Sequence, residues 1–172
     1  QCNIKLNSIN DVDRYLWGKV IKSDLFKNIY FLLGLEFEDT ILSFLIYPKY
    51  LIISSINSFI YIYRQNKISI FHTFNKSNVS IDSYLITKFI LNNVHITLDN
   101  YMYNTFLIQV KMNYLRNLHN SVNIQKSIFV LTISLMNKYF NGFKISIGYY
   151  QPLENSIRPH NYYNYVLLCM LK

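Results

Sequence analysis

Apolar and polar residues alternate most regularly in the segment of residues 105–115. Every second position there is apolar, and the polar positions between them include Gln109, Lys111 and Asn113. A repeat of two residues is typical of a β-strand with one buried face and one solvent-exposed face. The pattern therefore predicts a strand whose exposed face carries a positive charge and two amides, groups suited to phosphates, sugars and base edges.

The rest of the pattern predicts an α+β fold behind an N-terminal helical extension. In the extension, residues 1–50, an i, i+4 apolar stripe predicts a helix from near Val12 to Leu33, and residues 41–47 fit a strand or a helix equally well. Residues 51–115 read as an α-β-α-β-β half, and residues 116–172 as a β-rich half packed on it. Predicted helices span 52–63 and 80–92, and predicted strands span 67–72, 94–98, 105–115, 124–134, 143–149 and 163–171.

The spacing of apolar residues also predicts which side chains form the core, since they fall on the apolar faces of neighbouring elements. The predicted core residues are Ile56, Phe59, Ile60, Leu85, Phe89, Ile108, Val110, Met112, Ile145 and Leu167.

The composition indicates a gene from an AT-rich genome. The chain has no alanine although Ala is the best helix former, and it is rich in residues with AT-rich codons such as Ile, Asn and Lys. An organelle, an endosymbiont or a parasite would fit this bias. The longest run between charged residues, 50–63, is shorter than the roughly 20 apolar residues of a spanning helix. We therefore expect no membrane span.

Charge divides the chain into two parts. Residues 1–50 contain six basic and six acidic side chains, whereas residues 51–172 contain eleven basic and three acidic ones. A basic body attracts polyanions, of which RNA and anionic lipid are the usual candidates. The asymmetry favours nucleic acid over a generic basic surface.

Residues suited to catalysis or metal binding are scattered. The carboxylates of the body, Asp82, Asp99 and Glu154, are far apart in sequence, and the four histidines have no second ligand at metal-binding spacing. Cys2 and Cys169 lie at opposite ends, which is typical of free thiols in a reducing compartment. The sequence therefore predicts a protein that is not an enzyme and uses no cofactor, metal or small-molecule substrate.

Basic residues mixed with amides and tyrosines occur in the predicted turns, at 64–67, 75–78, 149–151 and 158–163. Tyrosine rings can stack on unpaired bases, and Lys, Arg and Asn can reach phosphates and 2′-hydroxyls. In the predicted strand 143–149, Tyr149 falls on the apolar side and Tyr150 faces outward with Lys144. We therefore expect Tyr150 to be the RNA-facing ring and Tyr149 a core residue.

Several short segments resemble the family of ribosomal protein eight of the small subunit. Residues 108–114, IQVKMNY, resemble its I-x-V-x-L-K-Y strand; residues 55–67 resemble its first helix, and Asn75-Lys76-Ser77 its S-K-L turn. Residues 141–145 resemble the entry to its RNA loop and 166–170 its closing strand. The resemblance covers about residues 51–172. The family's S-T-S-x-G loop is replaced here by Gly148-Tyr149-Tyr150-Gln151.

This resemblance implies a structural constituent of the small ribosomal subunit that binds the central domain of its rRNA. The codon bias suggests a mitochondrial ribosome, in the matrix, or that of another AT-rich organelle or endosymbiont. The extension would contact neighbouring ribosomal proteins. The alternative is a non-catalytic accessory subunit of an organellar membrane complex. The candidate RNA-binding residues are Arg64, Lys67, Asn75, Lys76, Lys144, Tyr150, Gln151, Arg158 and His160.

Overall fold

The described part of the chain in the computed structural model, residues 17–49, 61–62, 64, 66, 81–93, 98–145 and 148–171, is built from helices. A 3₁₀ helix spans Ser23–Phe26. Helix α1, Asp39–Ile41, continues as a π-helix, Leu42–Ile46, and a 3₁₀ turn, Tyr47–Lys49. Helices α2 to α6 span Asp82–Asn93, Asn100–Arg116, Val122–Tyr139, Gln151–Ile157 and Tyr162–Met170. No strand occurs among these residues, so the predicted α+β fold with its β-rich half is wrong.

Helix α3 occupies the segment for which the sequence pattern most clearly predicts a strand. Asp99 caps its first turn, accepting a hydrogen bond from the backbone N–H of Met102 at 2.8 Å. Neither Gly nor Pro interrupts the chain from there to Asn141. The apolar residues also satisfy a helical repeat, since Phe106, Val110 and Tyr114 follow one another at intervals of four. The capped, uninterrupted segment therefore forms a helix in spite of its alternation.

Two further predicted strands are helical for related reasons. Residues 124–134 lie within α4, whose buried Phe129, Ile133 and Met136 repeat at helical spacing. Residues 163–171 lie mostly within α6, where the side chain of Asn161 caps the first turn through the N–H of Asn164. The described residues of 143–149 form no strand. The β-branched and aromatic residues, which favoured strands, therefore occur here within helices.

Other expectations have mixed outcomes. The helix predicted from residue 80 or 82 to 92 is confirmed as α2. The segment 41–47, which fitted either a strand or a helix, is helical and buried. The helix predicted across the extension is wrong over residues 17–33, where only Ser23–Phe26 is helical. Residues 52–60, 67–72 and 94–97, with the elements predicted there, lie outside the described residues.

The core surrounds α3, which contacts α2, α4, α6 and the π-helix. Two groups of aromatic rings fill the two ends of this core. Near the start of α3, the ring of Phe140 lies 5.3 Å from that of Tyr103 and 5.1 Å from that of Phe106. Toward its end, Tyr165 lies 5.5 Å from Tyr114 and 4.7 Å from Phe129. Offset and edge-on ring contacts of this kind add to the free energy gained from burial.

The predicted core residues divide between interior and surface. Val110 is buried as predicted, and Phe89, Ile108, Met112 and Ile145 are half-buried. Leu85 and Leu167 are exposed, so those two predictions are wrong. Ile56, Phe59 and Ile60 lie outside the described residues.

The Asp99 cap is the first test of the helical assignment. Because Asp99→Ala removes the side-chain acceptor at the start of α3, we expect it to lower the free energy of unfolding by about 1 kcal/mol in urea denaturation. Ser121 also precedes a helix but makes no side-chain cap hydrogen bond, so Ser121→Ala is a matched control with a smaller expected effect. Equal losses in the two variants would contradict the assignment.

Candidate functional site

The predicted RNA-binding residues are spread over the described surface rather than gathered in one site. Arg64, Lys144 and His160 are exposed, whereas Tyr150 and Gln151 are half-buried at the start of α5. Lys67, Asn75 and Lys76 lie outside the described residues. Arg158 donates a hydrogen bond to the carbonyl oxygen of Phe143, which precedes Lys144 in the chain.

Arg158 is held by partners inside the protein. Its Nε donates to Glu154 Oε1 at 2.7 Å, and its Nη2 donates to Tyr103 Oη at 3.1 Å. The second carboxylate oxygen of Glu154 accepts from the backbone N–H of Ile145 at 2.8 Å. Burial raises the pKa of Tyr103, so its hydroxyl stays protonated at physiological pH. The ion pair thus fastens the loop after α4 to α5 and leaves Lys144 on its outer side.

The predicted orientation of the two loop tyrosines is wrong. Residues 148–150 form a turn, in which Tyr149 is exposed and Tyr150 packs against the core. The hydroxyl of Tyr149 accepts a hydrogen bond from Lys111 Nζ at 2.9 Å. The rings of Tyr149 and Tyr150 meet edge-on, with their centres 5.0 Å apart. Successive side chains point to opposite faces in a strand, but not in a turn. The alternation along 143–149 therefore predicted the wrong orientation for Tyr149 and Tyr150.

A basic surface that the sequence analysis missed lies where the ends of α2 and α4 meet. Asn92 Oδ1 accepts hydrogen bonds from Lys138 Nζ at 3.2 Å and from Tyr139 Oη at 2.5 Å. Lys88 is exposed and lies one helical turn before Asn92 on the same face of α2. We call these four residues the α2–α4 surface. It combines two ammonium groups, an amide and an aromatic ring on two rigid helices.

Acidic groups are lacking from the surface of the C-terminal half. Glu154 is the only Asp or Glu between residue 100 and residue 172, against seven Lys and Arg. Its side chain is buried, with 2% of the residue exposed, and it is paired with Arg158. Lys126, Lys138 and Lys144 are all exposed. The exposed lysines of this half therefore face no carboxylate from within it, and its surface potential is positive.

One acid of the extension, Asp39, lies close to a buried arginine, Arg116. The guanidinium of Arg116 lies 3.8 Å from the centre of the Phe37 ring and donates a hydrogen bond to Ser83 Oγ at 2.6 Å. Burial lowers the pKa of Arg116, and the charge of Asp39 acts in the opposite direction. Phe37 has a φ of 69°, a left-handed conformation that a bulky residue rarely adopts. Stacking on Arg116 holds this strained residue in place.

Glu36 immediately precedes Phe37, and its surroundings disfavour a negative charge on its side chain. Its backbone N–H donates to Asp82 Oδ2 at 3.1 Å, which brings two carboxylates near each other. Burial, together with the charges of Asp82 and Glu38, raises the pKa of Glu36. Among the described residues, its Oε2 is buried and has no hydrogen-bond partner. Ionisation of Glu36 therefore works against folding.

Two kinds of site are not found in the described part of the chain. No group of three or more His, Cys, Asp or Glu side chains there is placed to hold a metal ion. None of the helices it contains is long and apolar enough to cross a membrane. Cys169 is buried, and burial raises its thiol pKa to about 12, so it is a poor nucleophile at neutral pH.

No protein-family model, curated protein or solved structure matches this chain.

The raised pKa of Glu36 gives a prediction with a defined sign. A carboxyl whose folded pKa exceeds its unfolded pKa binds more protons when folded, so stability falls as pH rises from the ordinary value of 4.5 through the folded pKa. We expect Glu36→Gln to raise the free energy of unfolding by about 0.5 kcal/mol near pH 7, and by much less near pH 4. Urea denaturation at both pH values measures this.

The neighbouring Glu38 is exposed, so Glu38→Gln serves as the control and should change stability less. A gain from Glu36→Gln that is the same at both pH values would show that the charge of Glu36 is not the cause.

Proposed function

We propose that this protein is a non-catalytic RNA-binding protein that serves as a structural part of a ribonucleoprotein particle. The observation that carries the proposal is the charge of the surface from α3 to α6, where, among the described residues, every exposed Asp, Glu, Lys or Arg side chain is a lysine and the single acid is buried in an ion pair. Such a surface is suited to a polyanion, because counterions released from the phosphates drive association.

The α2–α4 surface, which joins the end of α4 in this region to α2, is best suited to RNA. The ammonium group of Lys138 has three donors, of which one reaches Asn92, so it can still donate to a phosphate. Lys88 adds a second charge one helical turn away. Asn92 and Tyr139 add an amide and an aromatic ring of the kinds that contact ribose hydroxyls and bases. Because both helices are packed into the core, the spacing of these groups is fixed before RNA binds.

The assembly we propose is the small subunit of an organellar ribosome, with rRNA as the partner and neighbouring ribosomal proteins around the extension. The support is the basic body and the codon bias of an AT-rich genome. The resemblance to ribosomal protein eight adds little to this, since its central motif at 108–114 lies in α3 and its closing motif at 166–170 lies in α6, and neither is a strand. The mitochondrial matrix is the compartment that follows from this proposal.

The test is binding of the full chain to a folded small-subunit rRNA fragment at several salt concentrations. We expect Lys88→Glu combined with Lys138→Glu to weaken binding at least about tenfold near 0.1 M salt. The slope of log affinity against log salt should also become shallower by about 1.5, as expected for two lost phosphate contacts.

The control reverses the same number of charges elsewhere. Lys22→Glu with Lys27→Glu changes two exposed lysines of the extension, one of which already pairs with Asp24 at 2.8 Å. This variant should retain RNA affinity within about threefold. If both double variants lose affinity equally, net charge alone explains binding and the α2–α4 surface is not the site. If the unaltered protein shows no salt-dependent RNA binding, the proposed function is wrong.

A further inference from the structure

Helix α6 has a second apolar face that points away from the core. Its inner side is anchored by Tyr165 and Cys169, both buried. On the outer side, Tyr163 is 79% exposed, Leu167 is 60% exposed and Met170 is 57% exposed. These three residues follow at intervals of four and three, so they form one continuous stripe along the helix. Because only the inner face of α6 packs on the core, its outer apolar face is available to a partner.

A lysine stands at each end of this outer face. Near the start of α6, Lys126 Nζ lies 5.7 Å from the centre of the Tyr162 ring. At the other end, Lys111 Nζ donates to the carbonyl oxygen of Leu171 at 2.7 Å and to the hydroxyl of exposed Tyr149. No exposed carboxylate occurs anywhere from residue 100 to residue 171. The apolar stripe is therefore bordered by positive charge and by tyrosines.

We propose that this face docks on the surface of an anionic lipid membrane. Apolar side chains at helical spacing, bordered by lysines and tyrosines, are the features of helices that lie in the interface between headgroups and acyl chains. RNA would satisfy the lysines but offers no apolar phase for Leu167 and Met170. A lipid surface accepts both, since phosphate headgroups attract ammonium groups while the leucine and methionine side chains enter the acyl region.

Membrane docking goes beyond RNA binding because its apolar stripe shares no residue with the α2–α4 surface. The lysines of the α2–α4 surface belong to α2 and to the end of α4, whereas the docking face belongs to α6 and its flanking lysines. The two surfaces therefore allow the protein to hold a ribonucleoprotein particle against a membrane. Variants of each surface can be tested separately.

The experiment is co-sedimentation of the full chain with phosphatidylcholine vesicles, with and without phosphatidylglycerol at about one lipid in three. We expect binding to the anionic vesicles and at least tenfold weaker binding to the neutral ones. Leu167→Asn with Met170→Asn should lower binding to anionic vesicles at least tenfold. Since both side chains are more than half exposed, these changes should leave the fold and the RNA affinity unaltered.

Two controls separate the apolar and the ionic contributions. Val20→Asn with Leu33→Asn replaces two fully exposed apolar residues of the extension and should leave vesicle binding unchanged. Lys126→Gln should weaken binding to anionic vesicles about fivefold without changing binding to neutral ones.

Four results would overturn the proposal. The first is no preference for anionic vesicles, and the second is an equal loss of binding in the α6 variant and in the extension control. The third is a dimer in sedimentation velocity that the α6 variant dissolves, which would show that a second copy of the chain covers this face. The last is a loss of RNA affinity in the α6 variant but not in the extension control, which would assign the face to RNA instead of lipid.

Discussion

The position of α3 among the other helices is the constraint on which the rest of the described structure depends. A helix contacted by α2, α4, α6 and the π-helix has most of its surface covered, so the polar residues on its buried side need partners inside the protein. Asn113 accepts a hydrogen bond from Ser83 Oγ on α2, and Arg116 donates to the same hydroxyl. The hydroxyl of Tyr165 on α6 donates to the carbonyl oxygen of Val110. These bonds fix the rotation of α3 relative to its neighbours, which apolar packing alone specifies less strictly.

That burial also explains how far the fold could be read from the sequence. Helix α2 was predictable because it is amphipathic, with Ile86 and Ile90 inside and Lys88 outside. Helix α3 was not, because Gln109 and Asn113 are polar residues in the interior, and they make a buried helix look like a strand with one wet face. The chain is also rich in Ile, Phe and Tyr, so β-formers occur in helices as well as in segments predicted to be strands. Residue preference then loses its value for distinguishing helices from strands.

The candidate site illustrates the same limit. Searching the turns found Lys144, which is exposed, and Arg158, which is tied to Glu154. It missed Lys88 and Lys138, because both lie in helices and not in turns. Lys88 lies in the predicted helix 80–92, and Lys138 follows the segment 124–134 that was predicted to be a strand. The spacing of Lys88 and Asn92 within the confirmed helix α2 was a usable signal. The contact of Asn92 with Lys138 joins residues far apart in sequence, and a single sequence contains no trace of it.

The internal role of Glu154 has a consequence for regulation. With its carboxylate enclosed beside Arg158, the C-terminal half has no acidic side chain that could take up a proton at the surface. The exposed charges that remain in this half belong to lysines such as Lys126 and Lys144. A polyanion bound here therefore meets ammonium groups and no surface carboxylate that could repel it. Its release would require competition from another anion or a higher salt concentration, which weakens contacts between ammonium groups and phosphates.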